Sequence, residues 1–149
     1  MNEITFPAYP FRLRGEGEDL RIFDEVRKKW LKLSPEEWVR QHLVMYLHHY
    51  LGYPLTLMSL EKEIRSAAQS LRPDLVIYSR QGQPILLAEC KAPAVKTGND
   101  TFAQAAAYNR HFNVPYLLIT NGINHYCAKI SNGVGSFTFL ESIPRFEEL

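Results

Sequence analysis

The sequence has little cysteine: Cys90 and Cys127 are the only two in 149 residues. Two thiols cannot make the disulfide framework of a small secreted domain, and both fall in strand-like apolar runs, where buried free thiols are expected. Charge of one sign is also lacking. Lys and Arg total 17 against 16 Asp and Glu, a net +1. No broad basic surface therefore advertises nucleic acid, although a local basic groove would not show in the total. No apolar run approaches the roughly 20 residues of a membrane-spanning helix. Met1-Asn2-Glu3 opens no basic-then-apolar leader, so a cytoplasmic location is expected. Histidines do not cluster. His48 and His49 are adjacent and would diverge by about 100° on a helix. His42, His111 and His125 are scattered with no Cys or His at ligand spacing, which argues against zinc. There are no internal repeats and no low-complexity tracts.

What remains, 46% apolar and 22% charged, suits one soluble domain over residues 1–149 with a single core. Residues 1–19, with Pro7, Pro10, Phe6, Tyr9 and Phe11, read as an extended arm. Leu20, Phe23, Val26, Trp30 and Leu31 recur at helical spacing, which predicts a helix from Leu20 to Leu33. A second helix opens at Ser34-Pro35, with Ser34 as N-cap, Pro35 at the first helical position and Glu37 completing a capping box. It stops at Gly52. Leu57 to Ile64 reads as a first strand. Leu75-Val76-Ile77-Tyr78 and Pro84-Ile85-Leu86-Leu87-Ala88 form a hairpin around a polar, Gly-containing connection. After a loop at residues 97–100, Thr101 to Phe112 reads as a third helix and Val114 to Thr120 as a strand. Asn121-Gly122 turns into His125 to Ile130, and Asn132-Gly133 turns into Ser136 to Leu140. Helices on either side of a hairpin-rich centre predict a mixed α/β (α+β) fold, a sheet flanked by helices.

The chemistry concentrates between Arg72 and Lys91. Asp74 stands where the first hairpin strand begins, and Glu89 and Lys91 where the second ends. In an antiparallel hairpin Asp74 and Glu89 become neighbours, and alternation puts Glu89 and Lys91 on one face with Cys90 on the other. Two converging carboxylates suit a hard divalent cation such as Mg²⁺, and a lysine beside them can orient water or stabilise charge growing on a phosphate. The alternative is a solvated charge pair at a strand end. The second helix offers two acids: Glu36 precedes its apolar face (Val39, Leu43, Tyr46, Leu47, Tyr50) by three and seven residues, whereas Glu37 points away. Gln104 and Tyr108 are four apart, on one face of the third helix. They read either as site residues or as a capping box with Thr101 and a core aromatic.

With Pro73-Asp74 and Glu89-Cys90-Lys91 in place, the chain resembles the PD-(D/E)xK nuclease superfamily, and within it the N-terminal nuclease domain of type I restriction enzyme R subunits. The supporting segments, in order, are residues 34–41, 89–93, 104–110 and 118–122. The resemblance implies a restriction-endonuclease-like αβββαβ core with a central mixed sheet, here with an extra N-terminal helix and C-terminal hairpin strands. It implies Mg²⁺, for which Mn²⁺ can substitute, held by Asp74, Glu89 and the Cys90 backbone carbonyl. Lys91 completes the catalytic set, Glu36 supplies a helix acid, and Gln104 and Tyr108 position DNA. The expected function is thus a Mg²⁺-dependent deoxyribonuclease working on DNA, with other restriction or repair subunits as partners and homodimerisation open. The family's R subunits carry a helicase motor, for which a chain ending at Leu149 has no room. That departure keeps open a second function, a nucleic-acid-binding or protein-interaction module that retains the fold without cutting.

Overall fold

The computed structural model describes residues 4–67, 69–109, 112–130 and 136–149, without the side chains of 104 and 107–109. In chain order the elements are β1 (Leu13–Arg14), β2 (Arg21–Asp24), β3 (Lys29–Lys32), α1 (Pro35–Leu51), β4 (Met58–Leu60), β5 (Ile64–Arg65) and β6 (Ser70–Leu71). They continue with β7 (Leu75–Tyr78), β8 (Pro84–Cys90), α2 (Asn99–Asn109), β9 (Tyr116–Thr120), β10 (His125–Ile130) and β11 (Phe137–Phe139). Six strands form the central sheet in the order β11-β10-β9-β8-β7-β4. All neighbours are antiparallel except β8 and β9, which run parallel. A parallel pair needs a crossover, and α2 supplies it. The run α1, β4, β7, β8, α2, β9 is the αβββαβ order of the restriction-endonuclease-like fold.

Alternation along β8 splits the core in two. Leu86, Ala88 and Cys90 face α1, where Val39, Leu43 and Leu47 join Leu75, Ile77 and Leu118. Leu87 faces the other way, with Val76, Phe102, Ala106, Leu117 and Ile119. Each face of the sheet thus has its own apolar layer and its own helix. Tyr50, assigned by periodicity to the buried face of α1, is 54% exposed, beyond the edge of the packed layer.

The second helix starts as the sequence predicts: the Ser34 hydroxyl accepts the Glu37 amide at 3.0 Å, and Pro35 occupies the first turn. Gly52 ends it at φ +76°, a left-handed conformation suited to glycine. The 121–124 turn is as specific. Asn121 Oδ1 accepts the amides of Ile123 (2.9 Å) and Asn124 (2.8 Å). Gly122 has φ +87°, and a Cβ there would stand 2.8 Å from Ile4 and 3.1 Å from Val39.

Two expectations fail. Residues 20–33 form no helix; β2 and β3 make an antiparallel hairpin to which β1 adds a third strand. Helical spacing misled because the hairpin tip is itself one helical turn. Asp24 Oδ1 accepts the amides of Val26 and Arg27, both at 2.8 Å, and the Lys28 amide donates to Asp24 O at 2.8 Å. Lys28 then leaves the turn at φ +55°. The strand read from Leu57 to Ile64 is also interrupted. Only Met58–Leu60 joins the central sheet, since Glu61 turns the chain at φ +52° and Ile64–Arg65 pairs with β6. The Asn132-Gly133 turn lies outside the described residues.

Candidate active site

The hairpin brings the three motif residues together. Leu75 pairs with Ala88 across β7 and β8, so Asp74 and Glu89, one step further, lie opposite each other. Glu89 is on the α2 side of the sheet with Leu87 and Lys91 follows on that side by alternation, whereas the Asp74 carboxylate, just before β7, reaches Arg40 on α1. The Lys91 amide donates to Thr120 O at 2.8 Å, carrying the parallel pairing one residue past β8. Glu89 and Lys91, with Leu71, Leu87, Leu117 and Ile119 among others, line a cleft of about 260 Å³ between the sheet and α2.

The Glu89 carboxyl is pushed up to about 8, first by burial, then by a hydrogen bond to Asp74 and by that residue's charge, while Lys91 opposes the shift. The two carboxylates are therefore close enough to share a proton, a position a divalent cation can take instead. Asp74 is gripped from the other side. Its Oδ1 accepts Arg40 Nη2 at 2.7 Å, and its Oδ2 accepts the Cys90 amide at 2.8 Å. Asp74 does not line the cleft.

Arg40 is the centre of an ionic network that the motif does not contain. It is 3% exposed. Nη1 donates to Glu37 Oε1 at 2.7 Å, and Nη2 meets Glu36 at 3.1 Å and Glu61 at 3.2 Å as well as Asp74. Burial acts to lower its pKa, but Glu37, Asp74 and Glu61 outweigh that and raise it. Beyond Glu37 the network runs on to the N-terminal hairpin. Gln41 Nε2 lies 3.0 Å from both Glu37 Oε2 and Asp24 Oδ2, and Arg27 bridges Asp24 (2.6 Å), Glu61 (3.0 Å) and Glu37 (3.5 Å). Five carboxylates (Asp24, Glu36, Glu37, Glu61, Asp74) thus share two guanidiniums (Arg27, Arg40), and Glu89 adjoins the network through Asp74.

The helix acids sit differently from expectation. Glu37, read as pointing away, is 6% exposed and held by Arg40 and Gln41. Its side chain is committed to this network. Glu36, its side chain 47% exposed, reaches Arg40 from the solvent side. Arg40 is unavailable to phosphate, being buried among acids, and Arg72 Nε donates to Glu61 O at 2.7 Å. Gln104 and Tyr108 lie on α2, but their side chains are outside the described residues. Sequence reasoning missed Asp24, Arg27, Gln41 and Glu61. The i,i+3 and i,i+4 spacing of Arg40 from Glu37 and Glu36 was a signal for Arg40; nothing local marks Asp24 or Glu61. Cys90 and Cys127 are buried and unpaired in any disulfide, and burial pushes both thiols up. Among the described residues no helix is long and apolar enough to cross a membrane.

Among solved structures the chain is similar to a candidate nuclease belonging to DUF820 from Anabaena variabilis ATCC 29413. The TM-score is 0.50 and the identity 12%, over 91% of this chain and 88% of that one, which speaks to the fold. Comparison with curated proteins gave no match. The family model described as Type I restriction enzyme R protein N terminus (HSDR_N) matches residues 35–144, a span from the first turn of α1 to beyond β11. With its αβββαβ core and the Asp74, Glu89 and Lys91 set at the adjoining ends of the interior strands β7 and β8, the chain belongs to the family of type I restriction enzyme R protein N-terminal domains, of the PD-(D/E)xK nuclease fold.

Proposed function

We propose that this nuclease-like domain hydrolyses phosphodiester bonds in DNA with a divalent metal, Mg²⁺ or Mn²⁺. The observation that carries the reading is the pairing of Asp74 with Glu89, close enough to share a proton, with Lys91 next to them. The donor set fits the ion: Asp74, Glu89 and the Cys90 backbone carbonyl are all oxygen ligands. Among the described residues no third His, Cys, Asp or Glu converges with the pair, and Mg²⁺ commonly keeps water in the remaining positions. When bound, the ion supplies Lewis acidity and neutralises charge at the phosphate. Lys91 donates to a phosphate oxygen or to the attacking water and stabilises the charge that develops there. Arg40 and the Cys90 amide fix the Asp74 carboxylate in place. Glu36, the more exposed helix acid, turns toward the substrate by leaving Arg40, which it meets at 3.1 Å, and Gln104 and Tyr108 on α2 position the DNA strand.

The test is cleavage of supercoiled plasmid and of single-stranded DNA in Mg²⁺, Mn²⁺ and EDTA, with Lys91→Ala in parallel. The expected outcome is metal-dependent nicking that Lys91→Ala loses by about a hundredfold or more. Activity equal in the wild type and the variant sinks the assignment. One observation favours a second reading, a DNA-binding module that no longer cuts: Arg40 holds a positive charge 2.7 Å from the Asp74 oxygen a metal would use. Metal-independent, salt-sensitive DNA binding without nicking, unchanged in Asp74→Asn, selects that reading. Homodimerisation and partner subunits belong to the same proposal and are tested by the mass of the protein alone and on DNA.

A further inference from the structure

The three-stranded N-terminal sheet lies wholly before the residues the family model matches, and its outward face is unusual. Cross-strand partners share a face of a sheet. The register sets Arg14 beside Arg21 and Arg21 beside Lys32, so three cations stand in one row across three strands. The next row pairs Phe23 with Trp30. Both rows lie opposite the face that carries Ile22, which is fully buried. Neighbouring strands are about 4.8 Å apart, which makes the basic row roughly 10 Å long.

Like charges directly opposite one another on a sheet are destabilising. All three are exposed, and among the described residues none has an acidic partner within ion-pair distance. The aromatic row adds order. The Arg12 guanidinium lies 3.8 Å from the centre of the Phe23 ring and that of Arg14 4.3 Å from the centre of the Trp30 ring. A stacked guanidinium is held in position and keeps its N–H edge free, the arrangement that suits bidentate phosphate contacts. Only Arg12 has an acid nearby, Glu25 at 3.5 Å, with both side chains partly exposed, and such a pair is weak.

We propose that this face, formed by Arg12, Arg14, Arg21 and Lys32 with Phe23 and Trp30 beneath the arginines, binds the phosphate backbone of duplex DNA without reading its sequence. The inference rests on the proposed function for its choice of DNA over other polyanions. A duplex carries about one negative charge per 1.7 Å of axis, so a row of this length meets several phosphates at once. The sheet is bolted to the candidate active site through Asp24, Arg27, Gln41 and Glu37, so DNA held here is held at a fixed distance from Glu89 and Lys91.

The experiment measures binding of a short labelled duplex by fluorescence anisotropy in EDTA across a salt series, so that no cleavage is involved. The wild type is compared with Arg14→Gln/Arg21→Gln/Lys32→Gln and with a charge-matched control, Lys62→Gln/Arg80→Gln/Lys129→Gln. Each lost phosphate contact reduces the slope of log K against log salt by about 0.9. The basic-row variant is therefore expected to lose about 2 to 3 units of slope and at least about tenfold in affinity at moderate salt, while the control retains both. Thermal melting separates binding from folding. Removing the row's repulsion should leave the variant melting no lower than the wild type, whereas a structural role would lower the midpoint. Unchanged slope and affinity in the variant, equal losses in the control, or no duplex binding by the wild type overturns the proposal. Slope loss in a protein that never nicks DNA leaves this inference standing and removes the nuclease reading alone.

Discussion

Replacing Arg40 with methionine tests the ionic centre of the structure. The methionine fills much of the same space but carries no charge, so Glu37 and Asp74 lose the partner that both share, at 2.7 Å each. The side chains of Arg40, Glu37 and Asp74 are 4%, 8% and 12% exposed, so water replaces the lost partner poorly. Breaking a buried pair from one side costs about 3 to 5 kcal/mol. For a chain of this size, roughly 2 to 4 °C per kcal/mol gives a fall in melting temperature of about 10 °C. Arg40→Lys keeps the charge but loses the two-pronged fork, so it cannot hold Glu37 through Nη1 and Asp74 through Nη2 together, and it should fall between. Arg40→Met/Glu37→Met removes a charge of each sign and should recover part of the loss. Urea unfolding of these proteins and of Glu37→Met, five in all with the wild type, gives the values. A single-variant cost under about 1 kcal/mol, typical of exposed pairs, or a double variant worse than the sum of the two single changes, would refute the network's role.

Glu89 makes metal affinity pH-dependent, because below about 8 the carboxyl of the metal-free protein holds a proton that a cation must displace. Mn²⁺ affinity by calorimetry should rise with pH, by up to about tenfold per unit, with proton release, and this dependence should vanish in Glu89→Gln. The same shift has a sign for stability. With its carboxyl raised from 4.5, the folded chain binds more protons than the unfolded chain between 4.5 and about 8, so metal-free stability should fall as pH rises through that window. Flat stability there, with no change in Glu89→Gln, counts against a shared proton. Asp24→Ala removes the acceptor of two backbone amides, Arg27 and Gln41 at once. It should cost about 3 kcal/mol or more in urea unfolding. Ser34→Ala, which deletes only the N-cap bond to Glu37, should cost about 1 kcal/mol.

Local chemistry set what the sequence by itself determined. Ser34-Pro35 and Gly52 bound the helix because a cap, a fixed φ and a left-handed exit are decided within a few residues. The 75–90 hairpin was legible from its two apolar runs and polar turn, and with it the adjacency of Asp74 and Glu89, because antiparallel pairing is a matter of counting. Asn121-Gly122 declared its turn for the same reason. What only the tertiary structure decided was chemistry between residues distant in sequence. The i,i+3 pair of Arg40 with Glu37 is local to α1, but nothing near Arg40 shows that it reaches on to Asp74, or that Asp24 and Glu61 close the network, since these partners meet only when α1 packs on the sheet. Residues 20–33 show the limit from the other side. Their i,i+4 pattern is satisfied by a single turn at Asp24, and the chain then pairs as strands because that buries Ile22 and carries Asp24 to Gln41 and Arg27. Periodicity records which residues seek burial; the partners they find are set by the assembled fold.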